Sequence, residues 1–355
     1  MINSVNEPVV KKNYDFIDHI RCLSMVAIVA EHTISYYPPA LTSLNYWPYL
    51  YLMEFFKYGT IIFFLLSGFL ISEKFRDYSP GEYLKRRFRS TFGPWLFWSL
   101  LFALCLTIHL KVTAGIYHDN RFNLANILDG IKMVYLYSNY WFIINFMVSI
   151  TLLLIFKRHL YSLVFGTILF LFTIFYCINI YPEWINPNHT TAILGFIFFL
   201  WLGAQCRKYW PQVNAFMERV PFLLLILLTV ATFAACVYET HVLTALNSSD
   251  PLNTLRFTNV LYSLVIFALL LKINSFKVLD HLKPRSTTYG IYLIHSIIVF
   301  FVLPEVLRPL SIDVNKVNLA GYVGYKFIYF LLAYFITLLL VFLINKTRGR
   351  RLVGN

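Results

Sequence analysis

Residues 15–37 read DFIDHIRCLSMVAIVAEHTISYY, and both the fold class and the candidate chemistry start from this stretch. It is a mostly apolar run of about the 20 residues that cross a bilayer as a helix, yet it carries Asp18, His19, Arg21, Glu31 and His32. Ionisable groups at membrane depth cost roughly 2.5–3.5 kcal/mol each on insertion scales, so a cluster of them needs partners or a function. Asp18, His19 and Arg21 stand near one end, where long side chains snorkel to the headgroups, and Asp18 and Arg21 are spaced to pair at i, i+3. Arg21 and His32 are 11 residues apart. At about 100° per residue that step closes three turns, so both project from one face, roughly 16 Å apart along the axis. Ser24, Ile28 and Ser35 share the stripe, whereas Glu31 is rotated about 100° from His32. A cation toward one side and an imidazole toward the other suit a long ligand with an anionic head and a reactive tail. Two polar residues at an outer helix end remain the plainer reading of Glu31 and His32.

The rest of the chain has the same character. Of its 355 residues, 59% are hydrophobic and only 13% charged, against about a quarter charged in a soluble globule. Ten apolar stretches follow one another, at 16–37, 55–72, 90–110, 135–156, 161–181, 190–206, 220–239, 254–273, 286–303 and 319–345. They are too long and continuous for barrel strands. The expectation is an all-α integral membrane protein, a bundle of about ten transmembrane helices forming a single domain over 1–355. The first run has no small-residue cleavage site after it and reads as a permanent helix.

The net charge of +13 lies between the apolar stretches. Segments on the side of the N-terminal tail (1–15) and C-terminal tail (346–355) hold 21 of the 30 lysines and arginines, and the opposite segments 7. That bias predicts cytoplasmic termini, in the inner membrane of a bacterium. Nucleic acid is excluded as a partner, since no stretch outside the membrane is long enough for a reader domain. Five scattered cysteines without a CxxC, and nine histidines without zinc spacing, point to no disulfide framework and no metal. Segments 37–54 and 181–189 read as outer loops rich in Tyr and Trp, either an interfacial belt or rings that stack on sugars at the outer mouth.

Three further motifs bear on chemistry. Lys85-Arg86-Arg87-Phe88-Arg89 precedes the third stretch; it reads as a topology signal, or, with Arg86 and Arg89 on one face at i, i+3, as a phosphate site beside Arg21. FFLLSGFL at 63–70 brings Ser67 and Gly68, small residues that let a helix or a ligand approach. There is no GxSxG elbow, so Ser67 is not read as a nucleophile. YGIYLIH at 289–295 places Tyr292 and His295 at i, i+3 near mid-membrane, equally readable as packing or as site groups. His109, His118 and His159, in loops or at helix ends, are expected to be dispensable.

Taken in order, Arg21-x10-His32, FFLLSGF at 63–69, Arg86-x-x-Arg89, YWF at 140–142 and SxxYxIYLIH at 286–295 resemble the acyltransferase 3 family of membrane O-acyltransferases over nearly the whole chain. The resemblance implies a ten-helix fold that uses cytoplasmic acyl-coenzyme A, acetyl above all, as co-substrate with no tightly bound cofactor. The acceptor it implies is a hydroxyl of an envelope carbohydrate or glycolipid, and any second transfer step is expected to use a partner protein of envelope biosynthesis. His32 matches the family's essential histidine and Arg21 its partner. Arg86 and Arg89, with Ser67 and Gly68, become the donor site, and Tyr292, His295, Glu31 and Trp141 become candidates for acceptor or oxyanion contacts. Cys22 stands where the family often has glycine, a departure that concerns packing. The implied step is direct transfer with His32 as general base. The rival reading is an exporter of polysaccharide or lipid-linked sugar, for which discontinuous helices and an internal repeat would be expected; no clear repeat is visible.

Overall fold

A computed structural model of the chain describes residues 15–310 and 312–355, with the backbone alone at 15 and 73–77. Every described regular element is helical. Each of the ten apolar stretches is occupied by helix, as follows from the need to satisfy backbone polar groups within the segment where no water is available.

The first helix, α1 (Asp15–Ser35), lies at the centre. It packs on α3 (Gly59–Asp77), α13 (Pro284–Ile297) and α15 (Leu319–Asn345), and its end meets α2 (Tyr46–Phe56). Small residues allow this: a Cβ on Gly59 would meet the Ser24 carbonyl oxygen at 2.8 Å. Ser24, Ala27, Ala30 and Thr33 of α1 are buried. Two apolar cores flank it. One joins α3 to α7 (Trp141–Ile155), α8 (Leu163–Asn179) and α9 (Ile193–Lys208). The other joins α13 and α15 to α5 (Gly93–Tyr117).

Length and composition qualify five helical stretches as membrane crossings: Tyr46–Ser72, Pro80–Tyr117, Phe222–Ala245, Pro284–Leu310 and Leu319–Asn345. A sixth is a bent pair, Leu124–Tyr137 with Trp141–Ile155, at 50°. This is the kind of broken helix that the exporter reading called for. α8 and α12 (Phe257–Ile273) are apolar but shorter.

The structure differs from the sequence reading in the segments between. Residues 37–54 are not all loop, because YWPYLYLMEFF is apolar enough to form α2 and run on into α3. Before the third stretch stands α4 (Pro80–Arg87), started by a reciprocal cap between Ser79 and Glu82. It leads into α5 through a π-helical turn at Phe88–Phe92. Similar turns occupy Met133–Tyr137 and Ile298–Val302.

Candidate functional site

A large cavity of about 1370 Å³ opens inside the bundle. Arg21, Arg87, Arg285, Ser90 and Thr91 line one end. His32, Glu31, Lys57, Trp141 and His189 line the interior, and Tyr49, Asp250 and Glu305 lie with the other end of α1. The Arg21-to-His32 stripe therefore faces one continuous space. Asp18 also lines it and pairs with Arg21 at 3.1 Å, as the i, i+3 spacing predicts.

The imidazole of His32 is partly exposed to the cavity, and no described residue hydrogen-bonds it. Behind it stands His295, stacked ring to ring at 5.1 Å. His295 is fully buried, and its Nδ1 sits 2.9 Å from the Ile291 carbonyl. A carbonyl only accepts, so that nitrogen carries the proton. His295 thus backs His32 rather than lining the cavity. Tyr292 does line it, but its hydroxyl donates to the Asn139 carbonyl at 2.5 Å. A phenol has one proton to give, so Tyr292 has no donor left for an oxyanion.

Glu31 is engaged with Lys57 at 2.6 Å. Lys57 is buried, although by sequence it counted among the outer loop charges. Trp141 lines the cavity with its ring stacked on His189 at 4.7 Å.

The donor residues fall differently from expectation. Ser67 lines the cavity. Gly68 does not: it faces α9, and a Cβ there would stand 1.9 Å from the Leu200 carbonyl oxygen. Arg86 is exposed and donates to the Tyr78 hydroxyl at 3.0 Å, and Arg89 is exposed as well. Neither is among the described lining residues. Their shared face assumed a continuous α-helix, and the π-turn that starts at Phe88 changes the register between them. Arg87 is turned inward instead, with Nε donating to the Tyr83 hydroxyl at 2.7 Å, and Arg285 enters from the start of α13.

Three residues were missed by sequence reasoning. Arg87 and Arg285 were read as loop charges, and His189 was not singled out. His189 lies in the segment between α8 and α9 and reaches the Thr254 hydroxyl at 2.9 Å. That segment is tied to the one between residues 245 and 257 by Glu183, which accepts from the Ser248 hydroxyl at 2.9 Å and the Ser249 N–H at 2.6 Å. The Ser249 N–H in particular holds the Glu183 carboxyl below its ordinary range. His109, expected to be dispensable, also lines the cavity.

A family model described as an acyltransferase domain, of the acyltransferase 3 type, matches residues 14–346. No curated protein and no solved structure matches the chain.

Proposed function

The chain belongs to the acyltransferase 3 family of membrane acyltransferases, and on that premise we propose that it moves an acyl group, acetyl in the first place, from cytoplasmic acyl-coenzyme A to a hydroxyl of an envelope carbohydrate or glycolipid. In this reading all ten helical stretches cross a bacterial inner membrane and both termini are cytoplasmic. The cavity that joins three arginines at one end to His32 carries the proposal. Arg21, Arg87 and Arg285 offer guanidinium groups to the donor's phosphates, for which bidentate donors are well matched. The acyl arm extends along the stripe toward His32.

There His32 takes the proton of the acceptor hydroxyl as general base. The oxygen attacks the thioester carbonyl, the C–O bond forms and the C–S bond breaks. The thiolate leaves toward the arginines and receives the proton back from the imidazolium. His295, stacked behind, fixes the plane of the base. Trp141 and His189, stacked on each other, line the same space, and aromatic surface there suits the apolar face of a sugar.

The test is His32→Ala in purified, reconstituted protein supplied with acetyl-coenzyme A and envelope glycan fractions. Transfer is expected to fall by about 10²- to 10⁴-fold while donor binding persists, because loss of a general base typically has that size. His32→Gln should be nearly as inactive. Retention of most of the transfer rate in His32→Ala would overturn the mechanism.

A further inference from the structure

Lys326 lies within α15, the most apolar of the candidate crossings, and is buried. Among the described residues no carboxylate pairs with it; its Nζ instead meets backbone carbonyls of α1 and the residues after it. It lies 3.5 Å from the oxygen of Thr33, 3.0 Å from Ile34, 2.5 Å from Tyr36 and 3.4 Å from Tyr37.

The last carbonyls of a helix have no partner within it, they carry the negative end of the macrodipole, and within a bilayer there is no water to satisfy them. An ammonium placed there answers all three needs. The chain beyond α1 also needs holding, for Tyr37 has φ 56°, a left-handed conformation that favours glycine. The same end leads back to the site. The Tyr36 N–H donates to the His32 carbonyl at 3.2 Å, and the Tyr36 ring, which lines the cavity, stacks on Tyr329 of α15 at 5.6 Å.

We propose that Lys326 is a positioning residue for the reaction centre: by capping the C-terminal end of α1 it fixes where His32 and Tyr36 stand in the cavity. This rests on the acyl-transfer reading of His32. The donor end of the cavity, near Arg21, is remote from the cap and independent of it.

The experiment compares wild type, Lys326→Met and Lys326→Gln as full chains in lipid nanodiscs. It reads kcat, acetyl-coenzyme A binding and backbone amide exchange across residues 33–37. In Lys326→Met we expect kcat about 10- to 100-fold lower, the size of effect that a small misplacement of a reacting group produces, with donor binding unchanged and faster exchange. Lys326→Gln keeps amide donors without the charge and should lie between Met and wild type on both readings. A wild-type kcat in Lys326→Met, or loss of donor binding in step with kcat, overturns the proposal. Should Lys326→Met not fold, Lys326→Gln takes its place, and wild-type values for both kcat and exchange in that variant overturn it. If the wild type itself transfers no acyl group, the functional reading fails, and amide exchange alone decides the cap: unchanged exchange in the variants refutes it.

Discussion

Arg87 and Arg285 come from different helices, yet both reach the end of the cavity that Arg21 lines. If the donor's phosphates sit there, Arg87→Gln with Arg285→Gln removes two charge-assisted contacts, each worth about 1.5–3 kcal/mol. Acetyl-coenzyme A binding, followed by titration calorimetry, should weaken by about a hundredfold or more. The pair Arg86→Gln with Arg89→Gln, which changes charge equally but outside the cavity, should leave binding intact. Equal losses in both pairs would mean that general positive potential attracts the donor, with no specific site at Arg87 and Arg285. Sequence could place Arg21 and His32 on one face because the helix period between them is unbroken. It could not choose among Arg86, Arg87 and Arg89, because a π-turn resets the angle of Arg89 and the inward rotation of Arg87 depends on how the separate helix α4 packs. His189 was illegible for another reason: a loop residue has no period, and its place beside Trp141 depends on contacts between distant segments such as Glu183 with Ser249.

Between elements, glycine sets how closely α3 and α9 approach. A Cβ on Gly68 would meet the Leu200 carbonyl oxygen at 1.9 Å, and one on Gly203 the Leu65 carbonyl oxygen at 2.0 Å. The two contacts are reciprocal and both are to backbone, so neither can be relieved by a rotamer change. Gly68→Ala or Gly203→Ala should push the helices apart and destabilise the protein by about 1–3 kcal/mol, the usual cost of overpacking. Ser67→Ala, next door but facing the cavity, should leave the unfolding midpoint in detergent near wild type. A Gly68→Ala variant as stable as Ser67→Ala would show that this packing has slack. The small-residue signal at 67–68 was legible; its division into a packing glycine and a cavity serine was not, because that needs the position of α9. The three π-turns were equally hidden. Each borders the cavity and has a carbonyl that accepts from a side chain: Thr91 from the Tyr289 hydroxyl, Val134 from the Ser138 hydroxyl and Val299 from the Tyr329 hydroxyl. Such turns are frequent at functional sites, and no residue type announces them.

Across the whole molecule, the cavity is basic at the Arg21 end and carries the carboxylates of Asp250 and Glu305 at the other. Only the placement of the chain in the membrane decides which end would meet the proposed acyl-coenzyme A donor. The helical stretches were legible because apolar runs of this length leave the backbone no alternative to helix. The number that cross was not, because α1 is unusually polar and α8, α9 and α12 are short. The expected orientation rests on charge alone, and the structure changes which cations count. Two of the seven cations assigned to outer segments, Lys57 and Arg256, are buried in pairs with Glu31 and Glu54, the latter at 2.6 Å, and so are not loop charges. On the side of the termini Arg87 and Arg285 line the cavity and drop out of the count in the same way, so the excess on that side is unchanged. Single cysteines placed at Leu44 and Ile185 should react in intact cells with an impermeant thiol reagent, and cysteines at Gly81, Gln212 and Lys277 should react only after the membrane is opened. All five positions are exposed, so accessibility to the reagent depends on the side of the membrane alone. The native cysteines, which are buried or half-buried, provide the background to subtract. The reverse pattern would put the three arginines outside, away from any coenzyme A, and the proposed donor site would have to be abandoned even if His32 proved essential.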